Sequence, residues 1–172
     1  MILGLDISTS KIGYCIIDDK KQLIVNEFIK LKPLQLEDRA EIFYQFLTDI
    51  KQQHSIEDIF IEQPFSMFGG GKTTAMTMSK LQRFNGMCSF AVRRVFGCNP
   101  KLIPANKARR IVGLKIKRGD DTKKKIIEWV SRKYPKQFIV ELTNYGNPRP
   151  GTDDRADAII VSLAGLEILN EK

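Results

Sequence analysis

The chain has 172 residues and a mass of 19.6 kDa, with 42% hydrophobic and 28% charged residues, so one soluble globular domain with a real core is expected over residues 1–172. Its 28 Lys and Arg against 20 Asp and Glu give a net charge of +8 and a pI near 9.4, which favours a polyanionic partner, most simply nucleic acid. Three scattered cysteines (Cys15, Cys88, Cys98) and the single His54 argue against a disulfide framework, zinc sites and His-based triads. No apolar run is long enough to span a bilayer and no basic leader precedes the first strand, so a cytoplasmic protein is expected.

Met1-Ile2-Leu3-Gly4-Leu5 is a short hydrophobic run suited to a strand buried on both faces, closed by Asp6 and the turn-forming Ser8-Thr9-Ser10. Residues 12–17 and 23–31 read as second and third strands, and the short turns between the three predict an antiparallel meander. Residues 37–53 switch to helical spacing, with Ala40, Phe43, Leu47 and Ile50 on one face. A short buried strand over 58–62 ends on Glu62, and a glycine-rich loop over 63–72 follows it. A long helix is predicted over 73–96, stopped by Gly97.

Residues 101–103 form a fifth short strand and 106–112 a short helix. A basic loop spans 113–121, with Thr122 predicted to cap a helix over 123–134. Residues 135–152 hold three of the seven prolines and read as irregular, and the last helix covers 153–169. This order predicts an α/β fold: a mixed five-stranded sheet with helices on both faces.

Asp6 and Glu62 close two buried strands that the meander and one helix bring side by side. Asp154 and Asp157, three residues apart, share a face of the last helix, whose apolar remainder must lie on the sheet and press its first turn towards the strand ends. Four carboxylates converging without a basic partner repel one another, and a divalent cation relieves that repulsion. An all-oxygen ligand set suits Mg²⁺ or Mn²⁺, and two such ions can serve phosphodiester hydrolysis. Helix capping by Asp153 or Asp154 is the structural alternative, with one of the three acids then serving structure alone.

Gly4-Leu5-Asp6-Ile7-Ser8, Ile61-Glu62-Gln63-Pro64-Phe65 and Asp154-Arg155-Ala156-Asp157-Ala158 resemble the RuvC family of Holliday-junction resolvases, of the RNase H-like fold. The order and spacing of the motifs match over nearly the full chain. The resemblance implies that Asp6, Glu62, Asp154 and Asp157 are catalytic metal ligands. It further implies a Mg²⁺-dependent homodimer that cuts four-way DNA junctions, with one nick in each of two opposing strands. A Lys- and Ile-rich composition fits a phage or viral branch. Two stretches depart from the family pattern: the Gly69-Gly70-Gly71 run and the long basic loop over 113–121.

Nine basic residues fall between positions 107 and 125. Lys107, Arg109, Arg110, Lys115, Lys117, Arg118, Lys123 and Lys124 from this run, together with Lys72, are the candidate phosphate contacts. By the resemblance, Lys123 matches a basic residue near the active site. Phe65 is the candidate for stacking on an unpaired base, with Phe68 as the other choice. Gly69 to Thr74 is no P-loop, because the glycine that motif needs is Ser66 here.

Two rival readings remain. One is the first phosphate loop of the sugar-kinase and actin-like ATPases, whose second domain this length cannot supply. The other is a catalytically inactive junction-binding module. For the dimer surface, the helix over 73–96 carries Met76, Met78, Leu81, Phe84, Met87, Phe90, Ala91 and Val95 around more of its circumference than one core-facing stripe requires.

Overall fold

The computed structural model describes residues 1–32, 35–64 and 74–171. Strands β1 (Ile2–Ile7), β2 (Lys11–Ile17) and β3 (Leu23–Lys30) form the expected antiparallel meander, and β4 (Asp58–Gln63) and β5 (Lys101–Pro104) join in parallel on the other side of β1. The sheet order is β3-β2-β1-β4-β5, which places the first strand at its centre. The helices are α1 (Leu36–Gln53), α2 (Ala75–Phe96), α3 (Ala105–Ile111), α4 (Thr122–Lys133) and α5 (Thr152–Asn170).

The period of two along each strand divides the core. Leu3 and Leu5, Ile12 and Ile16, and Ile59 and Ile61 face α1 and α2, where Phe43, Leu47, Phe84 and Val92 complete one apolar layer. Ile2, Cys15, Ile17 and Phe60 face the other way, onto α5 and the helices α3 and α4 that cover it. A helix apolar on all sides must be covered on all sides. Helix α5 is, between sheet and outer helices, and its residues 158–166 are buried throughout. Asp6 and Glu62 have the parity of the α5 face, the fact that decides where their carboxyls lie.

Two glycines let α5 come close. A side chain at Gly4 would stand 2.6 Å from the Ser162 nitrogen and 2.7 Å from the Ala158 carbonyl, and one at Gly13 would fall on the Asp154 carbonyl. Gly13 is the register partner of Asp6, so the contact that needs a glycine lies beside the acid it serves. A reciprocal clamp holds the same helix turn to β3. Buried Asn26 donates to the Arg155 carbonyl at 2.9 Å, and Arg155 Nε donates back to the Asn26 carbonyl and side-chain oxygens, each at 3.2 Å.

Three local expectations change. Asp121, not Thr122, caps α4, its carboxylate accepting from the Lys124 N–H at 3.1 Å while Thr122 is already helical. Thr74 caps α2 through the Thr77 N–H, so that helix begins at Ala75, and Gly97 ends it in the left-handed region as expected. Within the supposedly irregular 135–152, residues 141–149 form a small hairpin around a Leu142–Pro148 bridge. No described helix is long and apolar enough to cross a membrane.

Candidate active site

The last register pair between β1 and β4 is Leu5 with Ile61, so Asp6 and Glu62 follow as neighbours at the adjoining strand ends, on the face that α5 covers. Helix α5 starts at Thr152, after Gly151 in a left-handed conformation, and brings Asp154 and Asp157 over that end from above. The four acids named from the sequence therefore lie near enough for Asp6 to feel the charges of the other three.

Their electrostatics record the crowding. Burial pushes the Asp6 carboxyl well above the carboxylate range, and the charges of Glu62, Asp157, Asp154 and Asp153 push it further. Glu62 rises from 4.5 to about 7, by burial and then by Asp157, with Arg109 opposing. Burial takes Asp157 from 3.8 to about 6, where Arg109 and Lys123 oppose, and Asp153 and Asp154 reinforce, the rise. For Asp153 burial also acts upward, but the hydrogen bond and charge of Lys123, with the charge of Lys11, outweigh it and the net shift is downward.

The expectation of acids without a basic partner is corrected by these neighbours. Lys11, at the start of β2, donates from Nζ to Asp154 Oδ2 at 2.5 Å, and Lys123 bonds Asp153 at the same distance. Arg109 stands 3.9 Å from Asp157 Oδ1, too long for a hydrogen bond, and both Arg109 Nε and Asp157 Oδ1 are buried without a hydrogen-bond partner among the described residues. Asp153 and Asp154 both lie in the first turn of α5, where their charge suits the helix dipole, but neither makes a side-chain cap. Gly151 is the cap residue, no side chain caps the helix, and both acids are engaged with lysines.

No family model matches the chain. Among curated proteins it is 27% identical over 115 residues to the crossover junction endodeoxyribonuclease RuvC of Campylobacter hominis, a match covering 65% of this chain and 70% of the relative. It is 25% identical over 134 residues to the RuvC of Sulfurovum sp., covering 76% and 79%. Among solved structures it superposes on Thermus thermophilus RuvC in complex with Holliday junction substrate with a TM-score of 0.71 at 14% identity, over 99% of this chain and 94% of that one. The yeast mitochondrial Holliday junction resolvase Ydc2 gives a TM-score of 0.60 at 12% identity, over 96% and 77%. These matches agree with the resemblance of the chain to RuvC proteins in sequence and fold.

In this RuvC-like chain the basic candidates separate by exposure. Lys107 and Arg110 on α3, Lys115, Lys117 and Arg118 in the loop before α4, and Lys124 on α4 are all exposed to solvent. Arg109 is not with them. It is half-buried and turns towards Asp157, beside the acid site rather than out on the basic surface. Lys123 reaches the acid site through Asp153, and Lys125 is paired with Asp120 at 3.1 Å. Phe65, Phe68, Gly69 to Gly71 and Lys72 lie outside the described residues.

Lys11 was not singled out from the sequence. Its signal is the hairpin register, which sets the start of β2 beside the end of β1.

The donor set fits a hard divalent cation: carboxylate oxygens only, three of them on groups whose pKa is raised, and one buried oxygen on Asp157 without a hydrogen bond. Among the described residues, no group of three or more Asp, Glu, His or Cys stands closed around a point where an ion would sit.

Proposed function

We propose that the chain is a structure-selective, metal-dependent endodeoxyribonuclease that resolves four-way DNA junctions by paired nicks. The observation that carries this reading is the cluster of Asp6, Glu62, Asp154 and Asp157 at one end of the sheet, with charges that the neighbouring cations leave only partly compensated. The Thermus relative whose fold it shares is described as bound to a Holliday junction, which supports the choice of substrate.

Asp6, Glu62, Asp154 and Asp157 would hold Mg²⁺, two ions per site, with Mn²⁺ as a substitute. When bound, such ions supply an activated water and neutralise charge at the leaving oxygen. The chain's own residues do the rest. Burial against α5 keeps Asp6 and Glu62 fixed at the strand ends, and Arg109 orients Asp157 from the α3 side. Lys107, Arg110, Lys115, Lys117, Arg118, Lys123 and Lys124 hold phosphates of the junction arms, with Lys72 and Phe65 as further contacts.

The active form is a homodimer, since paired nicks on a two-fold junction call for two sites related by the same symmetry. Its chain is one nuclease domain, working in the cytoplasm of a bacterial or phage-infected cell. The dimer surface is narrower than the helix composition implies. Of the α2 residues named above, Met78, Phe84, Ala91 and Val95 are buried in the core, and only Met76 (82%) and Phe90 (66%) are largely exposed.

The Lys11–Asp154 ion pair favours one second reading, a junction-binding module without activity. Labelled four-way, three-way and linear DNA, incubated with and without Mg²⁺, separates the two. Paired nicks confined to the four-way junction and dependent on Mg²⁺ support the enzyme. Binding without nicking supports the module.

A further inference from the structure

Residues 141–149 belong to none of the motifs used so far, yet they stand beside the acids. Thr143 N–H donates to the Asn147 carbonyl at 2.7 Å, Gly146 N–H to the Thr143 carbonyl at 2.9 Å, and Arg149 N–H to the Glu141 carbonyl at 2.9 Å. Thr143 Oγ1 accepts a further bond from the Asn147 N–H at 3.3 Å. Gly146, at φ +74°, completes the turn. This is the three-residue hairpin loop in which a left-handed glycine follows a tight turn, so its tip, Asn144-Tyr145-Gly146, is held by backbone bonds on both sides.

Tyr145 at that tip is 92% exposed. The ring adds nothing to the core, and a hairpin tip needs no aromatic residue for its own sake. A ring held on a locked turn loses little freedom on contact with a ligand, which makes it an efficient stacking surface.

Leu142 and residues 146–149 of the hairpin, next in sequence to Tyr145, also form one wall of a cleft of about 730 Å³. The first turns of α4 form the opposite wall, and the cleft reaches the acid site at Lys11 and Asp153. Lys11, Lys123, Lys124 and Arg149 line it, and Leu142 and Ile127 supply apolar surface between them. Of the acids lining it, Asp121 caps α4, Asp153 is paired with Lys123 and Glu128 stands opposite, while Arg149 meets Glu141 at 3.2 Å in a pair exposed on both sides that a phosphate can displace. Cations at phosphate positions, apolar surface and an exposed ring are what a single DNA strand requires.

We propose that this cleft holds the strand flanking the scissile phosphate, with Tyr145 stacked on one of its bases and Lys124 and Arg149 on its phosphates. Tyr145 is thus a positioning residue, and the assignment rests on the nuclease reading above.

The test uses a four-way junction carrying 2-aminopurine singly at successive positions on either side of the nick, bound uncut by Asp6→Asn. Stacking on the ring quenches the fluorescence of the base it covers. The expected result is quenching at a position near the nick, abolished by adding Tyr145→Ala and kept by adding Tyr145→Phe. In the otherwise unaltered protein, Tyr145→Ala raises KM for junction cleavage about tenfold with kcat little changed, and its melting temperature matches the parent because the ring is exposed.

If the parent cuts junctions while Tyr145→Ala leaves both quenching and KM unchanged, this inference fails and the enzyme reading stands. If the parent neither binds nor cuts junctions, both fall.

Discussion

Replacing Glu62 by Gln should stabilise the metal-free protein at alkaline pH while abolishing cleavage. In the folded chain the Glu62 carboxyl is raised from 4.5 to about 7, chiefly by burial and then by Asp157. Between those values the folded state retains a proton that the unfolded chain has released, so stability falls as pH rises through the window. By pH 8 the ionised carboxylate holds a deficit on the order of 3 kcal/mol.

Gln removes the charge but leaves an amide to be satisfied, which offsets part of the gain. A net increase of about 1–2 kcal/mol, or roughly 2–8 °C in melting temperature for a chain of this size, is expected. At pH 5 Glu62 is already mostly protonated and the substitution should give little. Thermal melts in chelator at pH 5 and pH 8, parent beside variant, measure the difference directly. A variant that melts below the parent at both values, or gains equally at both, refutes the reasoning that crowded charge at this site strains the fold.

Gly13→Ala should destabilise by about 1–3 kcal/mol, because its methyl meets the Asp154 carbonyl where α5 crosses β2. The loss is read as a lower denaturation midpoint, and an unchanged midpoint contradicts the close-packing argument. Lys11→Ala should tighten Mg²⁺ or Mn²⁺ binding about three- to tenfold by calorimetry, since it removes the ammonium held by Asp154. Equal affinity in parent and variant would show that this ion pair does not compete. Phe90→Glu, at the exposed ring on α2, should shift sedimentation at micromolar concentration from dimer to monomer and abolish paired but not single nicking. A parent already monomeric that still makes paired nicks would overturn the dimer.

The fold was legible because its signals are local and periodic. Short apolar runs gave the strands, helical spacing gave α1 and α2, and a nearly all-apolar helix could only be the one buried on the sheet. Asp6 and Glu62 were legible for the same reason: each ends such a run, and parity then fixes its face. Of the cations around the acids, the family resemblance placed Lys123 near the site, while Lys11 carried no signal of its own.

Lys11 pairs with Asp154 across 143 positions, and Arg109 sits in a basic run whose other exposed members look identical to it in sequence. Only the packing of α3 against α5 turns Arg109 inward. The Asn26–Arg155 clamp is hidden likewise, since a buried Asn in an edge strand has no periodic signature. The hairpin at 141–149 was masked by Pro148 and the prolines flanking it, although Asn144-Tyr145-Gly146 holds the turn residues it needed.

The central claim is that the acid cluster, rather than the basic surface, does the cutting. The most direct test is to follow binding and nicking of one labelled four-way junction in Mg²⁺ by the parent and by Asp6→Asn. Paired nicks are expected from the parent, and from the variant no detectable nicking with affinity retained within about threefold, because affinity rests on phosphate contacts. Nicking by Asp6→Asn at close to the parent rate would contradict it.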